Sequence, residues 1–561
     1  METQAEQIIK RFNALKSEHS KWTGIWSDVA RYCMPTFSPL SDFSAKTRGA
    51  MKKQPFDPIG IACLVKLASW LYSSTVYQGE QWFDFKAQKK DVDDAGYIDL
   101  EEESFLQDAA RKTLECISQS NFGSTYQRML RLYCGFGTGA FYSEFNEDAE
   151  LVCRQFNVAE GVYIDVSSKG EPDTIFRGFE YTARQAIQEF GEENVSDEIR
   201  KASLDVKSQD TRFQFIHAVF PRDKNKIERG KKTADNKPIA SIYVEIGAKK
   251  VVLEGGYDEM PYHTPRFYDT DEIYGRCPTM DAIATIKAVN IATFAYLRNV
   301  EGATKPIVFA PTSVYDKFSL EYGAVNPWNS IEGDIKIWTP TGDVKGVIDF
   351  ILQKREEIGK MFYNDVFQYL EDRKNMTATE AQLRYDEMIQ GVSPVLANLQ
   401  NEFFSPFISR VAKELCRLGK INVPAEFRGE DGENKLPKFE IVYNTRLDTK
   451  LKGVLNANII NFVRIIGELG VALGMPQLPS AYIDVDKVVK GYAKNSNVVN
   501  DALKSDDEIE ASLQAMGEQQ QQQMLMNMID KINLQKTPEQ GSVQEAMTRG
   551  MTGAPGNQGD I

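Results

Sequence analysis

Residues 375–420, NMTATEAQLRYDEMIQGVSPVLANLQNEFFSPFISRVAKELCRLGK, decide the fold. Thr377 and Glu380 stand in the S/T-x-x-E spacing of a capping box, in which hydroxyl and carboxylate each satisfy a free backbone N–H of a first helical turn. Apolar residues then recur at helical spacing from Ala381 through Tyr385, Met388, Val392, Val395, Leu399, Phe403, Phe407, Val411 and Leu415 to Leu418. A continuous helix of that length would run about 64 Å, roughly twice the width of a small domain. One compact core cannot enclose it. Pro394 and Pro406 each remove an N–H and press on the carbonyl four residues earlier, which predicts bends near Gln390–Gly391 and near Glu402. Gly419 is the expected stop.

The chain has 561 residues, too many for one hydrophobic core, and two to four domains are expected. Its 42% hydrophobic and 11% aromatic content is that of a globular protein. A formal charge of −14 excludes a surface that grips nucleic acid throughout, because phosphate binding needs clustered Lys and Arg. It is compatible with a wall past which DNA slides. Seven scattered cysteines with no C-x-x-C pair read as buried thiols. There is no N-terminal signal pattern, and the most apolar window, Ile59–Tyr72, is broken by Lys66 and too short to span a bilayer. Synthesis in the cytosol and no membrane are expected.

Outward from the long helix, the same tests give an α+β chain. Residues 1–33 carry one amphipathic stripe, Ile8, Phe12, Leu15, His19, Trp22, Trp26 and Val29, read as a helix with His19 as a packing residue. A helix from Asp57, a short strand at 81–85 and helices at 101–118 and 124–134 follow. Short β-rich runs occupy 139–181, 213–220, 240–246 and 249–254, predicting a mostly antiparallel sheet. Pro278 suits a first helical turn, with a helix to Val300. A turn-rich section precedes a second helix from Val344 to 368, and a polar break at 370–376 leads into the long helix. Beyond it come a strand at 439–443, helices at 451–473 and 483–492, and a low-complexity tail from Ser505.

Chemistry is sparse. GFGTGAF at 135–141 lacks the P-loop pattern and reads as close packing at a helix-to-strand turn. Tyr163-Ile164-Asp165 reads as a strand end. Asp269, Asp271 and Glu272 lack the spacing of a calcium loop, and the three histidines form no metal or catalytic motif. No enzyme, cofactor or metal is expected.

Several of these stretches, in this order, resemble the portal proteins, or head-to-tail connectors, of short-tailed T7-like bacteriophages. They are Trp26, Tyr32 and Pro35; Asp57 through Gln81-Trp82-Phe83; Tyr274-Gly275-Arg276-Cys277-Pro278; Lys305-Pro306; and Met376-Thr377-Ala378-Thr379-Glu380 with Pro394, Glu402, Pro406 and Arg410. Each alone has a capping or packing explanation; their order and spacing carry the resemblance. Cys277 stands where a smaller residue is usual, and Lys305-Pro306-Ile307 replaces a double proline.

The resemblance implies a portal-type fold. Residues 1–270 with the bent helix and strand of 377–448 (cap Thr377 and Glu380; bends at Gly391, Pro394 and Pro406) would form an α/β wing. Residues 271–300 and 344–369 would be two stem helices, the first starting at Pro278, with a clip at 301–343. Leu370, Glu371, Asp372, Arg373, Lys374, Asn375 and Met376 would be a channel loop, 449–504 a helical crown, and 505–561 a C-terminal barrel or disordered tail. It implies a homo-oligomer of twelve at one capsid vertex, conducting double-stranded DNA during packaging and ejection. The partners implied are major capsid protein, scaffolding protein, terminase and tail adaptor proteins, first in the host cytoplasm and then in the virion. Arg373 and Lys374 are then either a ring of cations touching phosphates or a solvated polar turn. A ring-forming virion adaptor that conducts no DNA is the alternative.

Overall fold

The computed structural model describes residues 3–37, 55–76, 81–87, 100–205, 208–223, 233–311, 318–328, 335–339, 344–364, 391–425, 428, 434–444, 461–466 and 468–469. The chain divides into two units, Met1–Asp448 and Thr449–Ile561. In the second unit the described residues are helical, within the helix expected at 451–473. The expected helix at 483–492 and the tail lie outside the described residues.

The N-terminal stripe belongs to two helices, not the single one expected. α1 (Gln4–Ser20) is started by a capping box of Thr3 and Glu6, and α2 is Thr23–Tyr32. Between them the amides of Lys21 and Trp22 bond back three residues, to Glu18 and His19, a tightening typical of a helix end. The break lets one stripe serve two cores. Ile8, Phe12 and Leu15 cover a sheet, whereas Trp26, Val29 and Ala30 enter the main core.

That sheet is an antiparallel meander of β4 (Val162–Val166), β5 (Pro172–Thr182), β6 (Arg212–Pro221), β7 (Ile239–Glu245) and β8 (Lys250–Tyr257), in that order. Alternation sorts its faces. Phe176, Ile216, Ala218, Ile242 and Val244 meet α1. Phe215 and Phe179 meet α6 (Ala183–Phe190) and α7 (Asp197–Leu204). These two helices were not expected, although Thr182 and Gln185 form a capping box that the sequence displays.

The main core gathers α2, α3 (Ile59–Thr75), α4 (Leu100–Gln119) and α5 (Phe122–Phe136), and a small sheet of β2 (Phe141–Phe145), β3 (Leu151–Gln155) and β9 (Tyr262–His263). β1 (Phe83–Ala87) pairs antiparallel with β13 (Phe439–Tyr443), Phe83 opposite Tyr443. That pairing closes the chain over more than 350 residues, and neither strand's own pattern could announce it. α8 is Pro278–Thr304 and α9 is Val344–Met361, and the two pack together. Between them in sequence lies a sheet ordered β11 (Val325–Trp328), β10 (Ile307–Pro311) and β12 (Lys336–Trp338).

The helix expected to reach 368 is interrupted: α9 ends at Met361, 362–363 form a turn, Asn364 is again helical, and 365–368 lie outside the described residues. Tyr363 adopts φ 59°, and its amide bonds back only three residues to Lys360. Phe362 is fully buried there, and the Tyr363 hydroxyl lies 2.6 Å from that of Tyr268. Side-chain burial fixes a turn where periodicity alone would continue.

The long helix is described from 391 as α10, residues 391–417: α-helical at 391–399, π-helical over Gln400–Phe404 and α-helical over Ser405–Arg417. The irregularity expected near Glu402 is this π turn. Pro406 has no N–H for the Glu402 carbonyl, and the amide of Ser405 reaches back five residues to Gln400. Pro394 lies within the helical stretch after Gly391; the bend expected at Gln390 and the cap at Thr377 and Glu380 lie at or outside the edge of the described residues. The stop is as read. Gly419 has φ 71°, and the amides of Gly419 and Lys420 bond to Cys416 and Leu415 in a Schellman motif.

Candidate functional site

The stretches singled out in the sequence converge on the root of α8. Pro278 occupies its first turn. Ahead of it, Gly275 lies against Gly137 of the GFGTGAF turn. Gly137 has φ 75°, and a Cβ there would fall 2.0 Å from the Gly275 carbonyl oxygen. The glycine-rich segment is therefore a packing joint. The Gly275 amide donates to Thr138 Oγ1 at 2.9 Å, and the Thr279 hydroxyl donates to the Cys134 carbonyl at 2.7 Å. Cys277 is buried with its thiol on the Gly135 carbonyl. Burial, with the neighbouring thiol Cys277 adding to it, pushes the Cys134 thiol well up, so it is held as an inert thiol. Tyr274 accepts the Ile164 amide and packs edge-on to Trp26, 5.2 Å between ring centroids. His19 donates to the Val158 carbonyl at 2.8 Å, the packing role expected of it.

Three buried charges, Arg266, Arg410 and Asp57, brace this root. Glu402, in the π turn of α10, receives the Arg266 backbone amide at 2.7 Å and its Nε at 3.0 Å. Arg410 donates to the Glu259 carbonyl at 2.8 Å. Asp57, almost fully buried, receives Arg355 Nη2 at 2.8 Å from α9 and the Thr293 hydroxyl at 2.9 Å from α8. One carboxylate thus ties both helices to the start of α3. Trp82 packs on Phe404 of the π turn, 5.2 Å between rings.

Beyond the root the helices change character. The first half of α8 buries Met280, Ile283, Ile286 and Val289. The second half exposes Ile291 (66%), Phe294 (43%), Leu297 (46%) and Val300 (40%). α9 buries Ile351 and Ile358 and exposes Val344, Ile348, Phe350 and Leu352. Each of these two helices therefore carries apolar residues on both a buried and an exposed side. Among the described helices α8 has the length and composition to cross a membrane, yet its first turns are rooted in the protein body. The β10–β12 sheet adds exposed Trp328, Ile337 and Trp338. Exposed apolar groups at this density mark an interaction surface.

Of the residues named from the sequence, Pro278, Pro394, Pro406 and Gly391 are in helices as described, and Leu370–Met376 with Thr377 and Glu380 lie outside the described residues. Asp57, Arg355 and the outward stripe of α8 went unassigned. The doubly apolar composition of α8 was the available signal, since a helix apolar on several sides is covered on several sides.

Comparison with known proteins defines the class. Residues 5–503 match the family of bacteriophage head to tail connecting proteins, and the chain belongs to that family of virion proteins. It is 25% identical over 541 residues to the portal protein of Salmonella phage epsilon15, covering 94% of each chain. It is 24% identical over 513 residues to a probable portal protein of Bordetella phage BPP-1, covering 88% of this chain and 87% of the other.

Proposed function

We propose that this chain is a portal subunit, twelve copies of which form a ring at one capsid vertex, through which DNA enters and leaves the head. The observation that carries this reading is the outward apolar stripe of α8, Ile291, Phe294, Leu297 and Val300, continued by Val344, Ile348 and Leu352 of α9. A single chain leaves it in water; a ring covers it by repeating the same heterologous contact until it closes.

In this reading the organisation is that of T7-like portals. α8 and α9 are the stem, the β10–β12 sheet belongs to the clip, and residues 1–270 with α10 and β13 form the wing. The unit from Thr449 is the crown, and Leu370–Met376 the channel loop, with Arg373 and Lys374 facing phosphate. Terminase, tail adaptor, scaffolding and major capsid proteins are the partners. The acidic charge keeps DNA from adhering to the wall.

The test is the triple variant Ile291→Ser, Phe294→Ser, Leu297→Ser. It is expected to fold with unchanged circular dichroism and to show no rings in negative stain, whereas the parent chain shows rings with a central hole. Rings formed equally by the variant would refute the stem assignment. Rings that close but neither package nor retain DNA in assembled heads would favour the non-conducting adaptor.

A further inference from the structure

The face of the β4–β8 sheet away from α1 carries a cross-strand row: Arg177 on β5 opposite His217 on β6, and His217 opposite Tyr243 on β7. A second row stands across a gap, with Tyr142 on β2 opposite both Arg154 on β3 and Tyr262 on β9. Between the rows lies a cavity of ≈350 Å³ lined by all six side chains. That is at the small end of the ~300–1,000 Å³ typical of ligand sites.

Arg177 distinguishes this cavity from a packing gap. Its guanidinium is sandwiched between the rings of Phe156 and Phe179, 4.4 and 4.3 Å from their centroids. Both faces are therefore covered, and its N–H edge is what it can offer. Its Nε is buried without a hydrogen-bond partner, and among the described residues no carboxylate pairs with it. A half-buried guanidinium whose Nε is desolvated and which has no counter-ion is unfavourable, and an anion in the cavity would relieve it.

The surroundings narrow the anion. His217 uses both nitrogens within the protein, Nδ1 at 3.0 Å from the Tyr262 hydroxyl and Nε2 at 2.9 Å from Ser241 Oγ. Burial and then the Arg177 charge hold it well below its ordinary range, so it adds no positive charge. Glu144, on the lining, accepts from the Tyr142 hydroxyl at 2.9 Å, and Glu254 lines the wall while paired with Arg222. Glu189 is a third carboxylate on the lining, so three carboxylates face the two guanidiniums of Arg177 and Arg154; this balance opposes a dianionic phosphate and favours a single negative charge whose other end is neutral or cationic.

We propose that this cavity is a binding site for a compact small-molecule carboxylate, gripped by the edge of Arg177 between the two tyrosine-bearing rows. Nothing in it depends on ring formation. The test is ligand-observed saturation-transfer NMR and thermal unfolding of the full chain with 4-aminobutyrate, its amide 4-aminobutanamide and inorganic phosphate, at matched ionic strength. 4-Aminobutyrate is expected to bind saturably and raise the unfolding temperature, and the amide to do neither. Arg177→Gln should abolish the response. Arg177→Lys, which keeps the charge but not the fork, should weaken it about tenfold, and this variant decides the matter should Arg177→Gln fail to fold. No saturable binding of 4-aminobutyrate, tighter binding of phosphate, or unchanged affinity in Arg177→Lys would each overturn the proposal.

Discussion

At Gly137 two constraints coincide: a backbone at φ 75° and a neighbouring carbonyl 2.0 Å from where a Cβ would be. Gly137→Ala should therefore lower stability by roughly 2 kcal/mol or more. Gly24→Ala, in a helix with open space around it, should be neutral or stabilise by a few tenths of a kcal/mol. Urea midpoints of the two variants check the contrast. His263 is the second informative residue. Burial, aided by the Arg410 charge, holds its imidazole down at about 3. The unfolded chain, titrating near its ordinary 6.5, binds more protons between these values, so stability is full above about pH 6.5 and declines as pH falls toward 3. The expected slope is up to about 1.4 kcal/mol per pH unit for each such histidine. Unfolding temperature followed from pH 8 to 5 should be flat and then fall, and His263→Asn should reduce the fall.

Among the elements, α8 and α9 rely on Asp57 for their attachment to α3. Arg355→Met leaves that carboxylate buried with one fewer charge partner. Because the arginine is itself partly exposed, the cost should be near 2 kcal/mol, below that of a fully buried pair. Hydrogen exchange should quicken in α9 before it does in the β4–β8 sheet; uniform quickening would show that Asp57 braces the whole fold. The element scale also shows what was legible. Periodicity, caps and breakers placed α8, α5, β2 to β8 and the end of α10, because these signals are local. The split between α1 and α2 and the turn at 362–363 were not legible, since Trp22, Phe362 and Tyr363 turn the chain to reach partners far away in sequence. The pairing of β1 with β13 and the Asp57–Arg355 contact have the same origin. The Arg177 cavity was invisible because most of its residues come from separate strands, each read only as a strand of the sheet.

For the whole molecule, family membership and the exposed apolar face of α8 and α9 point one way. A chain rooted so firmly at one end of α8, with the other end apolar in water, is built for company. Twelve copies would total a formal charge of about −168, which suits a conduit rather than a clamp. The most direct test is native mass spectrometry of the purified full chain, across a concentration series and with scaffold supplied where rings need it. A ring of twelve would give a dominant species near twelve times 63.4 kDa, about 760 kDa. A chain that stays a stable monomer of 63.4 kDa under all these conditions, with the α8 stripe protected from solvent by the chain itself, would contradict it.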